Sequence, residues 1–129
     1  MVDSPIVYSS IGGGHTNLIS ASTYSSIVGG GENTIDSTEG ATITGGKDNV
    51  IKDNSKYSSV GGSDSTIEGT SQYSTIGNGR YNKIANLSYY SFIGGGFVNN
   101  IDLSSTASIV GGQMHDIVGV SDNSNIGGG

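Results

Sequence analysis

Two columns of isoleucine, repeating every 16 or 17 residues, leave this chain few ways to fold. Ile11, Ile27, Ile43, Val60, Ile76, Ile93, Ile109 and Ile126 make the first column. Ile19, Ile35, Ile51, Ile67, Ile84, Ile101 and Ile117 make the second. Of the 15 isoleucines in 129 residues, only Ile6 lies outside them. The motif around them reads Y-S-x-I-x-G-G-x-x-N-x-I, as in YSSIGGGHTNLI (8–19), YSSIVGGGENTI (24–35) and YSFIGGGFVNNI (90–101). Repeats start near residues 8, 24, 40, 57, 73, 90, 106 and 123, after a lead-in of residues 1–7. Self-similarity at this period is the mark of a repeat architecture.

Each repeat holds two inward-facing pairs. Small residues stand two positions before the first apolar column: Ser9, Ser25, Ala41, Ser58, Ser74, Ser91, Ala107 and Ser124. Asn17, Asn33, Asn49, Ser65, Asn82, Asn99 and His115 stand two before the second. A spacing of two puts both members on one face of a strand. The repeat therefore predicts two short strands, S-x-I and N-x-I, joined by a glycine-rich bend whose glycines supply positive φ. A unit of this size cannot bury its own two isoleucines, so successive coils must cover one another. The expected fold is all-β: a parallel β-solenoid or β-roll of about eight coils. At about 4.8 Å per coil it makes a rod roughly 38 Å long. Like residues then stack on like, and Asn17, Asn33, Asn49, Asn82 and Asn99 are expected to form a structural amide ladder.

Composition agrees. Gly, Ser, Thr and Asn together make about half the chain, and such residues are poor helix formers. The net charge of −6 disfavours nucleic acid and anionic membranes as partners. Cysteine is absent, which excludes disulfides and thiolate metal sites. No apolar run has the length of a membrane span. Two isoleucines and a serine per coil are a thin core against the cost of ordering 16 residues, so a homo-oligomer, with three chains, is expected. Without caps at either end, the chain reads as a slice of a longer fibre or a unit whose ends meet flanking segments.

The tandem Y-S-x-I-G-G-G-x-x-N-x-I resembles the repeats of phage and large-virus tail or surface fibres. It is also similar to the head repeats of trimeric autotransporter adhesins, which form a parallel β-roll in a homotrimer. The resemblance spans residues 8–129 and departs in coil length, since adhesin heads use a shorter coil with more alanine. It implies a trimeric rod at a virion or cell surface, outside the cell, used for attachment or spacing.

Residues that could carry chemistry are scattered. Asp36, Glu68 and Asp102 follow the second isoleucine, but Ser20, Lys52, Ala85 and Val118 hold the same place in other coils. His15 and His115 occupy different columns at opposite ends of the rod. The glycine runs lack a phosphate-loop lysine, and their recurrence marks turns. No catalytic, metal or cofactor site is expected. Asn86-Leu87-Ser88 is a lone glycosylation sequon. Tyr8, Tyr24, Tyr57, Tyr73 and Tyr90 precede the small-residue column and point outward, either as a surface stripe that binds glycans or as a seam between chains. A fibre or adhesin segment without enzymatic activity is the first expectation. An ice-binding solenoid is the second, on the outward hydroxyl row Ser10, Ser26, Thr42, Ser59 and Thr75, interrupted at Phe92. A polysaccharide-degrading phage spike is the third.

Overall fold

The computed structural model describes residues 7–120 and 122–129. Most of the lead-in, residues 1–6, and Ser121 therefore lie outside the described residues. The chain is a parallel β-solenoid with two sheets. The first stacks β1 (Ser10–Ile11), β3 (Ser26–Ile27), β5 (Thr42–Ile43), β7 (Ser59–Val60), β9 (Thr75–Ile76), β11 (Phe92–Ile93), β13 (Ser108–Ile109) and β15 (Asn125–Ile126). The second stacks β2 (Leu18–Ser20), β4 (Thr34–Asp36), β6 (Val50–Ile51), β8 (Thr66–Ile67), β10 (Lys83–Ala85), β12 (Asn100–Asp102) and β14 (Asp116–Val118). Register sets isoleucine on isoleucine, as in Ile19↔Ile35 and Ile93↔Ile109. A line of single bridges runs beside the glycine bends through His15, Gly31, Lys47, Ser63, Arg80, Phe97 and Gln113.

The isoleucine columns close against each other inside one chain. From Ile19 to Ile109 every member is fully buried, and Ile11 and Ile126 at the ends pack on the same cluster. The small column sits in this interior too: Ser25, Ser58, Ser74 and Ser91 are buried at a corner of their own chain. The crowding that selects small residues there is thus crowding within one solenoid.

Each coil turns three corners, and each corner is made by a residue with positive φ. One corner carries Thr16, Glu32, Asp48, Asp64, Tyr81, Val98 and Met114. The second carries Ala21, Ser37, Asn54, Thr70, Leu87 and Leu103, and the third Tyr8, Tyr24, Tyr57, Tyr73, Tyr90, Thr106 and Asn123. The tyrosines are therefore corner residues in the left-handed region, with φ of 53–59°. That conformation costs an L-residue about 1–2 kcal/mol. In a regular strand, successive N–H groups alternate between the two neighbours. The left-handed residue breaks this alternation, so two successive N–H groups face the preceding coil. The first finds a backbone carbonyl: Tyr24 N–H donates to Val7 O at 3.0 Å, Glu32 N–H to His15 O at 3.0 Å and Ser37 N–H to Ser20 O at 3.1 Å. The second turns to an interior side chain. Ser25 N–H donates to Ser9 Oγ at 3.1 Å, Asn33 N–H to Asn17 Oδ1 at 3.1 Å and Thr38 N–H to Ser22 Oγ at 3.2 Å. A buried backbone donor without an acceptor is costly, and this arrangement supplies one at most corners.

The asparagine corner does a second job. Asn49 Nδ2 donates to the Gly45 carbonyl of its own bend at 2.9 Å and to Gly62 of the next coil at 2.8 Å. Asn33, Asn82 and Asn99 repeat the pattern. The expected amide ladder is therefore present, but its rungs are chiefly side chain to backbone. A direct amide-to-amide bond joins Asn33 to Asn17 at 3.2 Å. The bend it fastens needs glycine at one column: Gly14, Gly30, Gly46, Gly62, Gly79, Gly96 and Gly112 have φ of +84 to +102°. Along this column a Cβ would collide with the carbonyl of the glycine one coil on.

Coil length changes at two places only. Val60 is followed by a bend one residue shorter, and there Ser65 replaces asparagine: it accepts from Asn82 N–H at 3.3 Å and donates to Ser63 O of its own turn at 3.0 Å. The turn after the second isoleucine is one residue longer in some coils, as from Ile51 to Ser55 compared with Ile35 to Thr38.

The small column also makes a testable statement. Ala41 replaces serine there and offers no oxygen to the Ser58 N–H, whereas Ser58 and Ser74 serve the coils after them. Ala41→Ser should stabilise the fold by about 0.5–1.5 kcal/mol, read from urea unfolding. A loss of stability would show that the corner has no need of the oxygen.

Candidate functional site

The tyrosine corner is the most ordered feature of the surface. Tyr8 stacks on Tyr24 with ring centroids 5.3 Å apart, Tyr57 on Tyr73 at 5.3 Å, and Tyr73 on Tyr90 at 5.0 Å. The Tyr73 and Tyr90 rings lie within 7° of parallel. All five tyrosines are about half exposed or more, Tyr8 most of all. The backbone sets this geometry: the corner residue points its side chain out, and the coil rise of about 4.8 Å matches the preferred offset stacking of aromatic rings. The ladder is broken once, at Gly40, which takes the same left-handed conformation with φ +66° and has no ring. Tyr57 leans toward that place and donates its hydroxyl to Glu39 Oε1 at 3.0 Å, which holds the phenol above its ordinary pKa. Lys56 Nζ lies 3.3 Å from Glu39 Oε2. Beside Gly40 a shallow depression of about 360 Å³ is lined by Ala21, Thr23, Thr38, Glu39 and Lys56, among others.

The other sequence-predicted residues fall elsewhere. Asn17, Asn33, Asn49, Asn82 and Asn99 are buried in the interior ladder and face no ligand. His15 stands exposed at the head of the bridge line, with its ring over Gly31. His115 continues the ladder: its N–H donates to Asn99 Oδ1 at 3.1 Å, and Nε2 lies 3.3 Å from the Gly129 carbonyl. In the lone sequon, Asn86 Nδ2 donates to Asp102 Oδ1 at 2.7 Å and Ser88 is wholly buried. Among the described residues no group of three or more His, Cys, Asp or Glu comes together as a metal site. The outward hydroxyl row lies in register on the first sheet as Ser10, Ser26, Thr42, Ser59 and Thr75, and Phe92 interrupts it.

One inward column escaped the sequence reading. Ser22, Thr38, Ser55, Ser71, Ser88 and Ser104 stand three residues before the small column and are all buried. The signal was available, since a serine or threonine recurs at that offset in each of these coils. The column lies in a turn that points a side chain inward, outside the period-two spacing of the strands. Among the described residues, Thr38 Oγ1 is the single buried side-chain oxygen or nitrogen without a hydrogen-bond partner.

The outer face of the second sheet carries mixed charge. Glu68 lies 2.6 Å from Lys83 Nζ and 3.1 Å from Lys52 Nζ. Arg80 Nε bonds Asp64 at 2.9 Å, and its guanidinium lies 4.6 Å from the centre of the Tyr81 ring. Asp36 and Asp102 face Ser20, Ala85 and Val118 in neighbouring coils, so the carboxylates form no continuous row.

Burial disfavours the Glu68 carboxylate, but hydrogen bonds and charge from Lys83 and Lys52 outweigh it and hold the carboxyl below its usual value. A depressed carboxyl stabilises the fold above its unfolded pKa of about 4.3, and that stability is lost as pH falls through the lower folded value. Glu68→Gln should therefore shrink the fall in stability on acidification below about pH 4.3, followed by urea unfolding across that range. Identical acid limbs in the two proteins would show that the lysine clamp has no energetic effect. In comparisons with known proteins, the sequence matches no family model and no curated protein.

Proposed function

We propose that this chain is a structural fibre or adhesin segment: a rigid, non-enzymatic rod that works outside the cell, at a virion or cell surface, for attachment or spacing. The observation that carries the proposal is the bonding along the axis. Each coil is joined to the next by parallel strand pairing and by interior side-chain acceptors at most of its corners. Such a lattice resists bending and pulling, because no coil can leave without breaking several hydrogen bonds at once.

The rod assembles as a homotrimer in this reading. The second corner supports it: Ala21, Ser37, Asn54 and Thr70 are uncharged, with Asp53 the one carboxylate among its left-handed residues, and Leu87 and Leu103 continue the line as exposed apolar residues. Parallel copies meeting there would bring few charges together and would cover the Leu87 and Leu103 side chains. The tyrosine corner then stays open as the contact surface for cell-surface glycan. Light scattering should give three times the 13.0 kDa chain mass, and images should show straight, unbranched rods. A well-folded single chain at low concentration would overturn the assembly.

The register of Ser26, Thr42, Ser59 and Thr75 on one sheet favours an ice-binding surface as the second reading. Thermal hysteresis separates the two, and the fibre reading expects none.

A further inference from the structure

The bend that follows the first isoleucine column is built of glycine, and one coil departs from this. Gly13, Gly29, Gly45, Gly95 and Gly111 stand two residues after their column members, and Asn78 holds that place after Ile76. Of the eleven asparagines in the chain, Asn78 alone is followed by glycine. It is exposed, and its side chain folds back on the next peptide: Gly79 N–H donates to Asn78 Oδ1 at 2.8 Å. Among the described residues no backbone carbonyl takes that N–H, so the coil-to-coil bonding does not hold it. Gly79 has φ +92°, and a Cβ there would strike the Gly96 carbonyl, so no side chain shields its nitrogen. Asparagines elsewhere are placed differently. Asn54 and Asn86 are exposed, but the N–H groups after them are tied, Ser55 to Lys52 O at 3.3 Å and Leu87 to Gly69 O at 2.8 Å. In the buried ladder, Lys83 N–H after Asn82 donates to Asn99 O at 2.8 Å, and Asn82 Oδ1 accepts from Asn99 N–H.

We propose that Asn78–Gly79 is a site of self-modification, where the folded chain converts the Asn78 amide to a carboxylate through a cyclic imide. The Gly79 nitrogen gives its proton to solvent hydroxide and attacks Asn78 Cγ. The N–Cγ bond forms, the Cγ–Nδ2 bond breaks, and Nδ2 takes up a proton and leaves as ammonia. Solvent water then opens the imide. Breaking the new N–Cγ bond gives aspartate, and breaking the bond from Gly79 N to the Asn78 backbone carbonyl carbon gives isoaspartate. Oδ1 is bonded to Cγ, so the rotamer that brings Oδ1 to the nitrogen brings Cγ beside it as well. The remaining motion is a turn about Cβ–Cγ, a soft torsion in asparagine, which presents the face of the amide to the nitrogen. The product adds a carboxylate two residues from Arg80, whose Nε bonds Asp64 at 2.9 Å. Isoaspartate also lengthens the backbone inside a bend that Asn82 Nδ2 fastens at the Asn78 carbonyl, 3.0 Å away. Ile76 and Ile84 on either side are held by their strand pairs, so the change is confined to the bend. The inference is independent of what the rod binds.

The folded protein is to be aged in mildly alkaline buffer made with heavy-oxygen water, beside the same chain held unfolded in urea. Peptide mass spectrometry, with fragmentation that separates aspartate from isoaspartate, follows every asparagine. In the folded protein, position 78 should take up solvent oxygen about tenfold or more faster than any other asparagine. Its rate should stay within about tenfold of the rate in the unfolded chain, and both acids should appear. Asn78→Gln keeps an amide at the site but needs a larger ring, so it should remain unconverted over the same period, with circular dichroism confirming its fold. A folded-state rate at position 78 more than about tenfold below the unfolded one would show that the bend shields the nitrogen, and would overturn the proposal. Earlier conversion at another asparagine, or no conversion in either state, would overturn it too. Aspartate alone, or equal conversion of Asn78→Gln, would mark direct hydrolysis and remove the backbone nitrogen from the reaction.

Discussion

The architecture depends on one constraint, the direction of the backbone N–H after a left-handed corner. A solenoid of 16 or 17 residues must turn sharply, and it does so with residues of positive φ, single at most corners and paired in the longer turns, as at Asp53 and Asn54. Each such residue sends two successive donors toward the same neighbour, where the backbone offers one acceptor. An oxygen inside the coil meets the second donor at most corners, and Ser, Thr or Asn therefore stands just after most of them, with Ala41, Ala107 and His115 as departures. The interior is consequently half polar. Isoleucine columns provide the apolar burial, and the hydroxyl and amide columns between them are part of the hydrogen-bond scaffold.

That division explains why the surface varies so freely. Corner residues point outward and range from Thr16 to Tyr81 and from Ala21 to Leu103 without changing the coil. The ion pairs of Lys52, Glu68 and Lys83 decorate the second sheet, and exposed pairs of this kind contribute little to stability. Surface identity can thus be tuned coil by coil. The tyrosine ladder, the second corner and the hydroxyl row are three separate lines drawn on one frame.

Most of the frame was legible in the sequence, because burial forces isoleucine, asparagine and serine to recur in phase. The parallel strands, the isoleucine core and the amide ladder follow from columns alone. The third inward column at Ser22 was missed, since it sits in a turn and obeys neither strand nor helix spacing. The conformation of the tyrosines was also hidden: an outward residue next to a strand reads the same whether its φ is negative or positive. Thr38 illustrates what only coordinates reveal. Its hydroxyl is orphaned by one extra residue in the following turn, and nothing at position 38 itself signals this.

Residue-resolved amide hydrogen exchange tests the central claim most directly. The N–H groups of Asn33, Asn49, Ser74, Ser91 and Asn99 all donate to interior side-chain oxygens of the preceding coil. They should exchange only through global unfolding, as slowly as the strand amides of Thr34 and Thr75. Exchange of these corner amides at the rate of exposed turns, with the strand amides still protected, would contradict the account.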